Sequence, residues 1–299
     1  MSTAQTTPSF SVNTRPGRHL AELPLDLGPL ADFAGTWVGS GFTLISLPDF
    51  DKTPPSTGPK DFRLLLHATR EILEFIPIGG AVPNRGVVTD IGVAAGQPDI
   101  QLHGLTYLQR VSDAVTFEAL HIEPGIWINV PATTVLPVQD ATVVRLGTIP
   151  HGDSLLAQST FLLTVAGGPQ IAVIDSTPTG PGTNLPGYLD PFLNPPLPPG
   201  IQLPFVKDPN LVLKAAIQHQ TIIKTVVIVI STSPVGGIVN IPFVVSNANA
   251  TQLDAIFWIE TVQQPDGSTF LQLQYTQTVI LNFLGINWPH ISVATLVKQ

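Results

Sequence analysis

Along most of this chain, hydrophobic and polar positions alternate with a period of two. Phe62, Leu64, Leu66 and Ala68 alternate with Arg63, Leu65, His67 and Thr69, the spacing of a strand with one buried face. Strand-like segments also lie at Trp37–Leu47, Gln101–Val111, Val115–Val130, Val143–Ile149, Ser154–Val165 and Ile171–Ile174. Later ones are Ile222–Ser231, Ile238–Val245, Ala255–Val262, Phe270–Phe283 and Ile291–Val297. Turn residues separate them. Gln264-Pro265-Asp266-Gly267 signals a hairpin, because Pro and Gly supply fixed and positive φ angles. About ten strands punctuated in this way predict an all-β fold, an antiparallel up-and-down barrel closed to leave no free edge.

Other segments break the alternation. Residues 1–26 are rich in Ser, Thr and Pro and read as a flexible arm, with one barrel domain over 27–299. Leu30-Ala31-Asp32-Phe33-Ala34 reads as one helical turn plugging a barrel end. Nine prolines lie between Thr177 and Phe205. Proline cannot donate to a ladder, so this stretch is not sheet. It is an insertion at about residues 177–209, either a surface loop or a lid or subunit-clasping arm. Asp208-Pro209 then suits a helix start, with the helix over Leu211–Gln218.

Composition narrows the function. Hydrophobic residues make up 43% of the chain and charged residues only 11%, against about 25% charged in typical domains. A surface so poor in charge predicts a homo-oligomer. The net charge is −8 with 13 basic residues, which opposes nucleic-acid and anionic-membrane partners. There is no cysteine, which removes thiolate chemistry and disulfides. Met1–Arg18 holds no apolar core of a secretory signal, and no apolar run reaches spanning length, so a cytoplasmic location is expected.

The catalytic repertoire is thin. None of the seven histidines forms an H-E-x-x-H pair, and there is no G-x-S-x-G elbow and no P-loop. His121 and Glu123 stand two apart on a strand and point the same way. They can share a metal ion or simply satisfy each other, and the second is favoured because further ligands would be distant histidines. Haem needs only one imidazole and apolar walls. With Met1 the only methionine, ligation would fall to a histidine or to Tyr107, Tyr188 or Tyr275.

Four further segments stand out. The first is Leu27-Gly28-Pro29-Leu30 with Gly35-Thr36-Trp37-Val38-Gly39-Ser40-Gly41. The second is Leu120-His121-Ile122-Glu123-Pro124-Gly125-Ile126-Trp127. Val144–Gly152 with Ala157-Gln158 is the third, and Pro289–Lys298 is the fourth. Together they resemble the nitrobindin family of haem-binding β-barrels. Two family features are absent: Phe42-Thr43 follows Gly41 where Tyr-Pro is usual, and Asn129 stands in place of an arginine. The resemblance implies haem b in the barrel, iron on His290, and cofactor contacts at Trp37, Gly39 and Gly41. It implies nitric oxide binding and peroxynitrite isomerisation. Peroxide reduction would want a distal acid–base group, for which His121 is the candidate. On the residues alone, His290, Ser292, Ala294 and Leu296 share one strand face and Ile291, Val293 and Val297 the other, and either can claim the interior. A metal-free lipocalin-like carrier of a fatty acid or other apolar molecule fits the same apolar strands.

Overall fold

The computed structural model describes residues 26–49, 62–86, 96–233 and 235–299. The expected arm lies outside the described residues except for its last position. The strands are β1 (Gly35–Pro48), β2 (Phe62–Pro77), β3 (Val82–Asn84), β4 (Ile100–Asp113), β5 (Ala119–Val130) and β6 (Thr142–Ile149). They continue with β7 (Asp153–Ala166), β8 (Thr221–Ser231), β9 (Gly237–Asn240), β10 (Asn249–Gln263), β11 (Thr269–Phe283) and β12 (Ile286–Lys298). The path β2-β1-β12-β11-β10-β8-β7-β6-β5-β4 closes through a β2–β4 pairing. Every neighbour is antiparallel, so ten strands form a closed up-and-down barrel. β3 and β9 add to its rim, on β4 and β7. No helix among the described residues is long and apolar enough to cross a membrane.

Local chemistry redraws three of the predicted strands. Val115–Val130 loses its first residues to a turn. The Asp113 carboxylate accepts the Val115 and Thr116 amides at 2.7 and 2.8 Å, and Phe117 takes φ 62°. An Asx turn outweighs the β-propensity of valine and phenylalanine there. Val115 and Phe117 therefore do not share a strand face with His121. Ile238–Val245 divides at Pro242, which cannot donate to a ladder but suits a first helical position. β9 ends at Asn240 and a helix runs Pro242–Asn247. Ile171–Ile174 is irregular rather than strand. The helix expected near Leu211 spans Asn210–Ile217, with its first amide held by the Asp208 carboxylate at 3.2 Å.

Both faces of the wall around β12 are buried. Ala294 and Leu296 face the barrel core, whereas Ile291 and Val293 face an outer apolar layer with Phe42, Leu44, Leu213 and Trp258. The proline-rich segment and the Asn210–Ile217 helix supply that layer's cover. Tyr188 and Phe192 pack on Phe62 at ring distances of 5.2 and 5.9 Å. Gln274 donates to the Leu213 carbonyl at 3.0 Å, tying helix to sheet. The insertion is thus a strap over its own barrel wall.

Inside, the barrel is asymmetric along its axis. A 3-10 helix, Gly28–Phe33, plugs the end where β1 begins, with Leu30 and Phe33 fully buried. Phe33 stacks on Trp127 at 5.3 Å and meets Phe75 and Phe257 edge-on at 4.9 and 6.0 Å. Trp37 completes this end and donates its indole N–H to the Phe33 carbonyl at 2.7 Å. Side chains fill that half, and the other half is open.

Candidate functional site

The open half holds a two-lobed cavity of about 350 and 260 Å³. The lobes share Ile45, His121, His151, Gln277 and His290 as lining. Leu155, Val244, Leu253, Val279 and Leu281 make the larger lobe apolar, and the Pro242–Asn247 helix closes over it. The smaller lobe mixes Leu65 and Val111 with Thr43, His67, Thr69 and Ser292. Each lobe is near or within the range of ligand-holding pockets, roughly 300–1,000 Å³.

Three strand ends, one turn and the middle of β11, which carries Gln277, bring the shared residues together. Antiparallel register sets Ile45 opposite His290 and Thr43 opposite Ser292, so these side chains line one stretch of wall. His121 opens β5, and His151 sits in the tight turn that joins β6 to β7. The His121 and His151 rings are 6.4 Å apart. Burial pushes the His290 imidazole down to about 4, helped by the two neighbouring histidines, so it is neutral at pH 7. Its Nε2 lies 3.3 Å from the Thr43 hydroxyl, which donates to the Ile291 carbonyl at 3.2 Å. The same hydroxyl lies 2.9 Å from that of Ser292, and with its proton on the Ile291 carbonyl its oxygen can accept from Nε2–H, the tautomer that leaves the lone pair on Nδ1.

Beneath the cavity lies a buried polar floor. Glu123 Oε1 accepts from Arg145 Nη2 at 2.7 Å and from the Tyr107 hydroxyl. Arg145 Nη1 donates to Gln277 Oε1 at 2.7 Å, so the ion pair reaches the cavity lining. Burial alone would raise the Glu123 carboxyl, but the Arg145 charge and the His121 and Tyr107 hydrogen bonds hold it at about 2. Among the described residues, Glu71 has no cation in hydrogen-bond contact. It accepts from Gln109 at 2.6 Å and Tyr275 at 2.7 Å, and burial pushes it up to about 7.

That contrast predicts a pH effect. A carboxyl whose folded pKa exceeds its unfolded value near 4.5 contributes stability below 4.5 and loses it as pH rises through about 7. Glu71→Gln removes this loss. The variant should match the wild type near pH 4.5 and exceed it by on the order of 2–3 kcal/mol at pH 8, read from urea unfolding. An unchanged difference across that range would refute a raised Glu71 carboxyl.

His290 and His121, both singled out in the sequence, meet in the cavity. His121 Nε2 sits 3.3 Å from Glu123 Oε2, the carboxylate pairing anticipated for the motif. Among the described residues no group of three His, Asp or Glu converges as a metal site. Trp37, Gly39 and Gly41 lie away from the lining of either lobe. Trp37 belongs to the plugged end. Gly39 packs against β12, where a Cβ would fall 2.1 Å from the Thr295 carbonyl oxygen. Tyr107 belongs to the polar floor, and Tyr275 bonds Glu71 there while lining the smaller lobe. His151, Gln277, Thr43 and Arg145 were not singled out as site residues. His151 stands in the third of the resembling segments, which was its one signal. Arg145 carried another, a lone cation among apolar positions of one strand.

No family model matches this chain, and no curated protein matches it. Eight chains of solved structures do. One is the crystal structure of Rv2717c from M. tuberculosis, 15% identical, aligned over 94% of this chain and 99% of that one with a TM-score of 0.43.

Proposed function

We propose that this ligand-binding barrel holds b-type haem in its cavity, with His290 on the iron. The carrying observation is a neutral imidazole lining an apolar chamber. The donor set fits the group: ligation needs one such nitrogen, and apolar walls supply the remaining contacts. The likeness of Pro289–Lys298 to the closing nitrobindin strand supports the same residue. Haem would supply an iron able to take nitric oxide, peroxide or peroxynitrite. The chain's own part is to orient His290 through Thr43 and to keep water off the larger lobe.

Hemin titration tests the proposal. Wild-type protein should give a sharp Soret band saturating at one equivalent, and His290→Ala should shift or lose it. A broad band in both proteins overturns the haem assignment.

A second reading draws on a different observation. Among the described residues, no lysine or arginine lines either lobe. The acidic groups of haem would find no cation there, whereas an uncharged apolar molecule needs none. A metal-free carrier would bind an environment-sensitive apolar dye at one site and leave hemin without a sharp spectrum.

A further inference from the structure

We propose that Glu123 is a positioning residue that makes His121 the proton acceptor of the cavity, and that the co-ligand suited to this site is a hydroperoxide. The second half rests on the haem proposal above; the first stands without it.

Glu123 is fully buried, and its two oxygens face different partners. Oε1 is occupied by Arg145 and Tyr107. Oε2 faces His121 Nε2 at 3.3 Å. An ionised carboxylate can only accept, so Nε2 must carry the ring proton. Nδ1 has no protein partner among the described residues, and in the neutral ring it holds the lone pair. The ring itself lines both lobes. A carboxylate behind a histidine fixes the tautomer and stabilises the imidazolium once a proton arrives.

The arrangement is rigid because Arg145 donates from all three guanidinium nitrogens. Nη2 holds Glu123, Nη1 holds Gln277, which lines the same lobes, and Nε donates to the Tyr107 hydroxyl at 3.2 Å. Arg145 is itself 2% exposed and packs over the Trp127 and Phe257 rings at 5.9 and 5.8 Å. The base therefore stands on a fixed floor, opposite a wall that carries His290.

This geometry selects among small ligands by whether they have a proton to give. A hydroperoxide bound in the smaller lobe can pass its O–H proton to His121 Nδ1. The O–H bond breaks, the electron pair stays on the peroxide oxygen, and a hydroperoxide anion and an imidazolium result. Glu123 balances the new cation. Nitric oxide has no proton and gains nothing from the device.

The test begins with the haem-free full chain. Nitrogen-resolved imidazole spectra should show the Nε2–H tautomer for His121 in the wild type and lose that preference in Glu123→Gln. Glu123→Asp should keep it. In hemin-loaded protein, Glu123→Gln should slow the second-order reaction with hydrogen peroxide about 10- to 100-fold while changing nitric oxide affinity less than about two-fold. His121→Gln retains the Glu123–Arg145 pair and should show the same rate loss, which keeps the proposal testable if Glu123→Gln fails to fold. An Nδ1–H tautomer in the wild type overturns the positioning role. Unchanged peroxide rates in His121→Gln overturn the hydroperoxide assignment. If hemin does not bind the wild type, the haem proposal and the hydroperoxide half fail together, and the tautomer alone decides the role of Glu123.

Discussion

Replacing Arg145 with methionine is expected to lower the unfolding free energy by about 3–5 kcal/mol at pH 7. Methionine fills most of the side-chain volume, so packing over Trp127 and Phe257 is largely kept. What is lost is the countercharge of a carboxylate that water cannot reach, since Glu123 is 0% exposed. Burial would then raise the Glu123 carboxyl instead of Arg145 holding it at about 2. The sign of the pH response follows. In the wild type, the lowered carboxyl contributes stability above about 4.5 that is lost as pH falls toward 2. In the variant, a raised carboxyl would contribute stability at low pH and lose it on the way up. The gap between the two proteins should therefore narrow on acidification, measured by urea unfolding from pH 8 to pH 4. A double variant that adds Glu123→Gln should recover most of the loss at pH 7, because it removes the orphaned charge. A gap that is constant with pH would mean that packing, not charge, sets the cost.

The barrel was legible in the sequence because most of its strands keep the period of two that a closed sheet imposes. Where the sequence misled, a short-range bond had overridden the pattern. Asp113 folds Val115 to Phe117 into a turn, and Pro242 ends a ladder that the valines around it would extend. The inward face of β12 was undecidable for a different reason. A strap covers the outside of the barrel there, so Ile291 and Val293 are buried as deeply as Ala294 and Leu296. Hydrophobicity marks burial and not direction, and only the closure of the sheet assigns the faces.

The site was half legible. His290 and His121 carry motifs, and the cavity joins them. Thr43 and Gln277 come from elements far apart in sequence, and nothing local to either signals a partner, while His151 had only its place in a resembling segment. Arg145 is a clearer case. A cation on an inward strand position must find a carboxylate, and Glu123 is the one inward carboxylate on the neighbouring β5. That pairing follows from register, which the sequence alone did not fix.

Phe33→Ala should cost about 3–5 kcal/mol, the range for truncating a fully buried aromatic. Phe33 is 0% exposed and contacts the Phe75, Trp127 and Phe257 rings together. No other aromatic side chain of the plug can move into the space. Lys298 donates to the Asp32 carbonyl at 2.9 Å and Asn129 to the Asp26 carbonyl at 3.1 Å, so the plug backbone stays pinned and cannot collapse inward. The cavity left behind should be dry, because its walls are aromatic and aliphatic. Position distinguishes this variant from Arg145→Met. The plug closes the end where β1 and β12 meet Asp32 and Gln299, whereas His290, His121 and His151 stand at the other end. Assayed well below its lowered midpoint, Phe33→Ala should bind the cavity probe, hemin or apolar dye, with wild-type affinity. Arg145→Met should weaken that binding, since Gln277 and Glu123 both lose their anchor. If Phe33→Ala also loses the probe, the two halves of the barrel are coupled, and the filled end does more than close the fold.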